Sequence, residues 1–445
     1  MSYCGYVTKL ENVRRHPNAD RLTMADVLGG TVIVGDDAKT GDIIIYFASD
    51  GQLSEEYCTH NDLIRRKNED GTYSGGFLDP VKRNIRIIKL RGEYSDGLCL
   101  PISSLAYTGI DISTIQVGDT ITVVNGHEIC RKYIPRTNPP KSVYSIKNGK
   151  TRKEAKEKTP YFAEHVDTPQ LRFVMHNFRP GDIICLTEKI HGTSSRNANG
   201  LVISRTKRTI WDKISRRPGK EIQSYRYLIG TRRTTVNNSS EGYYGSNQFR
   251  IEWGKKFIGK LHEGECVFGE IAGFIPETGQ PIMATANNKL TKDKDFIKQY
   301  GDTTTFSYGC DPSGKHGYGI TEEKIPISRY FIYRMTYTTP DGYVIEYPWD
   351  LTILRAKQMG FEVVPELDRF IYTTEEDFME RINKWMDIPS TVDPSHVIEG
   401  VVIRALNDPS LRIAKNKSNS FKLIEGIIKA DAETADIEEA EEILV

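Results

Sequence analysis

Apolar residues fall along this chain in short runs punctuated by glycine, the pattern of many brief strands rather than long helices. In the first third, Thr31–Val34, Asp42–Phe47, Ile85–Leu90 and Asp119–Val124 read as strands. Gly29-Gly30, Gly35-Asp36, Asp70-Gly71 and Gly75-Gly76 supply the turns, and Asn125-Gly126 marks a tight one after the last strand. Little helix and many short strands predict a small closed β-barrel over residues 1–130. From 166 to 430 the pattern mixes strand and helix, an α+β domain. Asp182–Leu186 leads into Thr187-Glu188-Lys189 as a buried strand. Asn247–Phe257 and Asp350–Gly360 carry helical spacing, the second ending on a glycine suited to a C-cap. Pro276–Pro326, rich in asparagine and glycine, reads as a long surface excursion. No internal repeat is found, and the chain is predicted to be multidomain.

Charge changes the picture locally only. Lysine plus arginine equals aspartate plus glutamate at 60 each, so the net charge of zero names no partner. Residues 131–165 concentrate Arg131, Lys132, Arg136, Lys141, Lys147, Lys150, Arg152, Lys153, Lys156 and Lys158 around Pro139-Pro140. They read as a basic linker: a solvated tether, or an arm that follows phosphates. Residues 431–445 form an acidic tail. Seven scattered cysteines without a Cys-x-x-Cys argue for a reducing compartment and against a zinc site. With no membrane-length apolar run and no secretory leader in the sequence, a cytoplasmic protein is expected, or a nuclear one in a eukaryotic or viral host.

The candidate chemistry lies between residues 187 and 417. Lys189 stands at a strand end before the turn Ile190-His191-Gly192, where backbone can approach a phosphate closely. A lysine attacks only as the neutral amine, so it needs desolvation or nearby cations. Lys415 and Lys417 are two apart, which on a strand puts both ammonium groups on one face. Glu270 and Glu399 sit in apolar strand text, where a carboxylate is costly unless paired or metal-bound.

In order and residue type, Lys189-Ile190-His191-Gly192-Thr193, Val267–Glu270, Tyr330–Arg334, Ile398–Arg404 and Ile413–Lys417 resemble motifs I, III, IIIa, IV and V of covalent nucleotidyltransferases, the polynucleotide ligases and capping enzymes. The Lys-Ile-His-Gly form and the Lys-Asn-Lys of motif V are most similar to the RNA ligase 2 group. That resemblance implies an ATP-dependent RNA ligase joining a 3′-OH RNA end to a 5′-phosphate through lysyl-AMP, an adenylylated strand and then the phosphodiester. It implies Lys189 as nucleophile, with Lys415 and Lys417 as catalytic cations. Glu399 is implied as ligand of Mg²⁺ or Mn²⁺, with Glu270 shared between the ribose and the metal's water shell. Glu188, His191 and Gly192 fall in the nucleotide pocket. Tyr333 matches the aromatic that stacks on adenine, with Phe331 on the same strand face as the alternative. Arg208 resembles an arginine that contacts the ribose. His191 replaces the aspartate of many relatives and brings no fixed negative charge for a metal.

His16–Leu22 and Lys89–Leu98 resemble the tRNA-binding OB module, so the N-terminal barrel is expected to be OB-like. An OB domain ahead of the transferase is similar to a nick-sealing branch of RNA ligases. The expected partner is RNA, as a nicked duplex or broken ends, with no membrane and no obligate protein partner. A capping-type GMP transferase is disfavoured by His191 and by the Lys-Asn-Lys. A non-catalytic nucleic-acid-binding protein with a degenerate transferase fold is disfavoured by the joint presence of Lys189, Glu270, Glu399, Lys415 and Lys417.

Overall fold

The computed structural model describes residues 3–134, 159, 161–205, 220–236, 248–313 and 325–430. The chain divides into two compact units. The first comprises residues up to Arg136 together with Asn287–Asp302 and Lys417–Ala430; the second takes its described residues from Thr159 to Ala286 and from Thr303 to Asn416. The segments Asn287–Asp302 and Lys417–Ala430, inside the sequence-derived range 166–430, thus group with the N-terminal residues. Most of the basic linker and the whole acidic tail lie outside the described residues.

In the first unit, Leu98–Pro101, Ile43–Phe47, Gly5–Lys9 and Thr120–Ile121 form one four-stranded sheet in that order, and Glu11–Arg15, Leu22–Val27 and Gly30–Gly35 form a separate three-stranded one. The sheets are not closed into a barrel, which corrects the expected closure. The strands are too short to carry one continuous ladder: Gly5–Lys9 and Glu11–Arg15 are split at Leu10, and the pairing of the latter slips between Glu11 and Arg14. The short apolar runs nonetheless supply the cores. Val7, Ile45, Phe47, Leu105 and Ile121 form one core and Leu10, Ala25, Val27, Val32 and Tyr46 another. Asn125 (φ 48°) and Gly126 (φ 87°) make the tight turn joining Val123–Val124 to His127–Glu128.

The two OB-module segments meet each other. His16 is buried, its Nε2 3.1 Å from the Leu90 carbonyl, and the Asn18 side chain donates to the Arg91 carbonyl at 2.9 Å. Lys89 pairs with Asp293, and the Lys422 ammonium reaches Asp96 at 2.8 Å with 9% and 4% of the two side chains exposed. Tyr94 and Ser420 share a hydrogen bond of 2.9 Å. These contacts fix the helix Asn419–Ala430 within the first unit. Removing one partner of a buried pair leaves the other charge stranded. Asp96→Ala is therefore expected to destabilise the first unit by about 3–5 kcal/mol, read as a lowered urea midpoint; an unchanged midpoint would show that packing alone holds the helix.

Among the described residues the second unit carries two larger sheets. One orders Glu366–Ile371, Ile183–Glu188, Gly400–Ala405 and Ile413–Lys417; the unit boundary falls just before the last residue of that edge strand. Its apolar face packs Ile184, Leu186, Val401, Ile403 and Ala414 against Phe178, Phe378 and Ile382. The other orders Glu221–Gly230, Thr193–Arg205, Glu265–Gly273, Ser328–Thr338 and Val344–Glu346, with Glu362–Val363 added in parallel to Ser328–Thr338. Helix Gln248–Lys255 covers one face through Trp253, whose indole donates to Ser328 at 3.0 Å. Phe257 and Phe361 stack at 4.0 Å beside it. Helix Trp349–Met359 ends as read, on Gly360 at φ 75°. Among the described residues no helix is long and apolar enough to cross a membrane.

Candidate active site

The site forms where the Ile183–Glu188 and Gly400–Ala405 strands end side by side. Glu188 pairs with Val401, and the Lys189 amide donates to the Gly400 carbonyl at 2.9 Å. This register sets the residue just after one strand beside the residue just before the other. The Lys189 ammonium accordingly lies 2.8 Å from Glu399 Oε1, with 20% of the lysine side chain and 2% of the glutamate exposed. His191 Nδ1 is 3.7 Å from the other Glu399 oxygen. A buried acid thus meets both motif I side chains.

Glu270 arrives from the second sheet. Its strand pairs with Thr193–Arg205 so that Glu270 faces Ser194 and Ile271 faces Thr193. Gly192 is required by this approach: a Cβ there would stand 2.4 Å from the Ile271 carbonyl oxygen and 2.9 Å from Glu270 Cγ. Any side chain would push the lysine turn off the sheet that carries Glu270.

Phe331 and Tyr333 are separated by a bulge. Phe268 pairs with Arg334 and Gly269 with Ile332, leaving Tyr333 as the extra residue. Phe331 lies directly opposite Glu270. Tyr333 instead reaches His165, 3.2 Å from hydroxyl to Nδ1, within the cluster of Phe162, Ala198, Cys266 and Phe268. Of the two aromatics read from the sequence, Phe331 is the one gathered with the carboxylates.

Glu188 is occupied by structure. Its carboxylate accepts from Ser390 Oγ at 2.5 Å, from the Thr391 amide at 3.0 Å and from the Thr391 hydroxyl. It therefore ties the 390 loop to the lysine strand. Lys415 holds its place on the edge strand by donating its amide to Pro169 at 2.8 Å. Lys417, in the first unit, carries its ammonium 2.7 Å from Glu425. Arg208 lies outside the described residues.

One element of the site was hidden in the sequence. The segment read as a surface excursion returns to the interior at Phe306 and Tyr308, which are 1% and 0% exposed. The Tyr308 hydroxyl accepts the His191 amide at 2.6 Å, and its ring packs on Phe331 and His396. Tyr308 has φ 50°, a conformation costly for a bulky residue. Two groups hold it there. Asp393 Oδ2 accepts from Ser307 Oγ at 2.5 Å and from the Gly309 amide at 2.8 Å, and Arg329 donates to the Tyr308 carbonyl at 3.0 Å. Burial works to raise the Asp393 carboxyl, but hydrogen bonds from Ser307, Ser395 and Gly309 overcome it and hold it at about 2. Burial, with the charges of Glu399, Glu188 and Glu270, pushes the Tyr308 phenol well above its ordinary value. A neutral phenol therefore stands within electrostatic reach of all three acids. The only local sign was an aromatic pair, Phe306 and Tyr308, inside polar text.

Among the described residues no group of three or more His, Cys, Asp or Glu side chains is arranged to hold a metal ion. Glu399 and Glu270 are hard oxygen donors of the kind Mg²⁺ and Mn²⁺ take when phosphates and water complete the shell. The donor chemistry fits such an ion.

A family model described as an OB-fold domain matches residues 5–102. No curated protein matches the sequence. Several solved structures do match in fold. An apo mutant of Naegleria gruberi RNA ligase is 16% identical with a TM-score of 0.54, covering 95% of this chain and 97% of that one. A mutant of the same ligase with ATP and Mn is 15% identical with a TM-score of 0.53 over 94% and 98%. A second such mutant with ATP and Mn gives 14% and 0.52 over 95% and 97%. The chain thus has an OB-fold domain at its N-terminus and an RNA ligase-like architecture over nearly its whole length.

Proposed function

We propose that the chain is an ATP-dependent RNA ligase of the covalent nucleotidyltransferase type, acting on nicked or broken RNA. The observation that carries this reading is the Lys189 amine 2.8 Å from buried Glu399, in a turn that Gly192 lets lie against Glu270. The fold shared with Naegleria gruberi RNA ligase, and that protein's structures with ATP and Mn, supply the choice of nucleotide and ion.

Lys189 is the nucleophile toward the α-phosphorus of ATP. The N–P bond forms as the bond to pyrophosphate breaks, and the ammonium proton must leave first. Glu399, the nearest acid, pairs with the ammonium before attack; the proton passes to solvent, to which the lysine side chain is 20% exposed, and the freed amine reacts. A divalent ion held by Glu399 and Glu270 would neutralise charge on the phosphoryl oxygens. Lys415, on the edge strand of the same unit, adds positive charge for the same oxygens. Phe331, opposite Glu270, is the aromatic wall for adenine. The AMP then passes to the RNA 5′-phosphate, and the 3′-OH displaces it to form the phosphodiester. The OB-fold unit and the basic linker hold RNA in this reading.

The test is sealing of a nicked duplex with a 3′-OH RNA end and a 5′-phosphate, given ATP and Mg²⁺ or Mn²⁺. Joining that needs ATP and the 5′-phosphate is expected. Covalent labelling by GTP with transfer to a 5′-diphosphate end would favour a capping enzyme instead, and RNA binding without any covalent label a non-catalytic protein.

Tyr308 extends the account to the turn itself. Tyr308→Phe keeps the ring but strands the buried His191 amide. Lysyl-AMP formation is expected to slow about 10-fold, measured as the single-turnover rate at saturating ATP. A wild-type rate would show that the turn holds its geometry without the phenol.

A further inference from the structure

The second unit contains a cleft of about 670 Å³ lined by residues around Tyr333, Glu346, Trp349, Arg404 and Leu411. This volume suits a small ligand or a single nucleotide. Neither Lys189, Glu270, Glu399 nor Phe331 lines it. It lies instead further along the same strands: Arg404 is on Gly400–Ala405, which Glu399 precedes, and Tyr333 follows Phe331 on Ser328–Thr338.

Three arginines stand in its wall, and two are paired with acids, Arg412 with Asp182 and Asp408. Arg334 is neutralised by Glu346, its Nε 2.9 Å from one carboxylate oxygen and its terminal nitrogen bonded to the other. Arg404 has no carboxylate partner among the described residues. It is 8% exposed, donates to the Tyr333 carbonyl at 2.6 Å and lies over the Trp349 ring at 4.8 Å. Its Nε has no hydrogen-bond partner among the described residues. Burial pulls the guanidinium down to about 10, which leaves it charged at neutral pH. A buried guanidinium with no carboxylate in contact, met only at longer range by the Glu346 charge, is costly unless an anion meets it. The wall also includes Tyr347 and Ile345, the latter 51% exposed, along with the carboxylates of Glu346 and Asp408.

We propose that this cleft is a subsite for the RNA strand, where Arg404 receives one backbone phosphate and the adjoining base packs on Tyr347 and Ile345. The choice of RNA as the anion rests on the ligase reading. Guanidinium to phosphate with a base on an aromatic is the combination by which single strands are held without sequence preference.

The test is fluorescence anisotropy of a labelled oligouridylate, without ATP, on the full chain. Arg404→Met should weaken binding about 10-fold or more, and Arg404→Lys should restore part of it. Ile345→Glu, at an exposed position facing the same cleft, should weaken binding by charge repulsion while leaving lysyl-AMP formation at the wild-type rate. A 5-iodouridine probe should crosslink to Tyr347. Wild-type binding by both Arg404→Met and Ile345→Glu overturns the proposal. So does weaker binding by Arg404→Met alone with a lowered melting temperature and no crosslink, which would make Arg404 a strut to the Tyr333 carbonyl. If Arg404→Met does not fold, Ile345→Glu and the crosslink decide. Because binding is read without ATP, a protein that holds RNA here but forms no lysyl-AMP keeps the subsite and loses the ligase reading.

Discussion

Lys189→Ala forms no covalent adenylate from ATP and does not join ordinary 5′-phosphate RNA ends. The variant still joins a strand supplied already adenylylated, because that step uses no lysine nucleophile. The expected loss in the first step is on the order of 10⁶-fold, the scale on which a covalent nucleophile acts. The reasoning is positional. Lys189 is anchored by its amide to Gly400 and by its ammonium to Glu399, so its Cα is set by one sheet and its amine by a neighbouring strand of that sheet. Alanine leaves the backbone bond intact and removes the reacting group, but it also strands the buried Glu399 carboxylate, so the pre-adenylylated strand serves as the internal control for a folded enzyme. Equal loss on both substrates would mean that Lys189 matters for RNA placement rather than for attack.

Glu399→Gln is the second large effect. The side chain is 2% exposed, yet Lys189 and His191 both approach it. Glutamine keeps the shape and removes the charge. It withdraws the acid that meets the lysine and one of the two carboxylates available to a divalent ion. Loss of one preorganised charge at such a site is worth about 10²–10³ in rate. The defect should appear in the rate of lysyl-AMP formation at saturating ATP, and raising Mn²⁺ should recover part of it. Near wild-type labelling across the metal titration would remove Glu399 from the chemistry.

The parts of this arrangement legible in the sequence were those written locally. Apolar text before Lys189 and around Glu399 announced strands, and strands they are. Gly360 announced a helix end, and Asn125-Gly126 a turn. What escaped the sequence depends on contacts between distant residues. Tyr308 meets His191 across 117 positions, and its own neighbourhood has no periodicity that would bury it. Lys422 meets Asp96 across 326, so nothing near either residue said that the helix Asn419–Ala430 joins the N-terminal unit. Whether a set of short strands closes into a barrel depends on the register of all of them together, and a slip at Glu11–Arg14 is invisible in composition. Phe331 and Tyr333 are set apart by a bulge, a single extra residue that alternation does not register. Glu188, assigned by resemblance to the nucleotide pocket, spends its carboxylate on Ser390 and Thr391.

The central claim is that Lys189 becomes covalently adenylylated. Incubate the full chain with α-labelled ATP and Mn²⁺, denature, digest, and locate the label by mass spectrometry. The account predicts one labelled peptide, with AMP on Lys189, formed with release of pyrophosphate and discharged by nicked 5′-phosphate RNA. Label on another lysine, or none that survives denaturation, would contradict it.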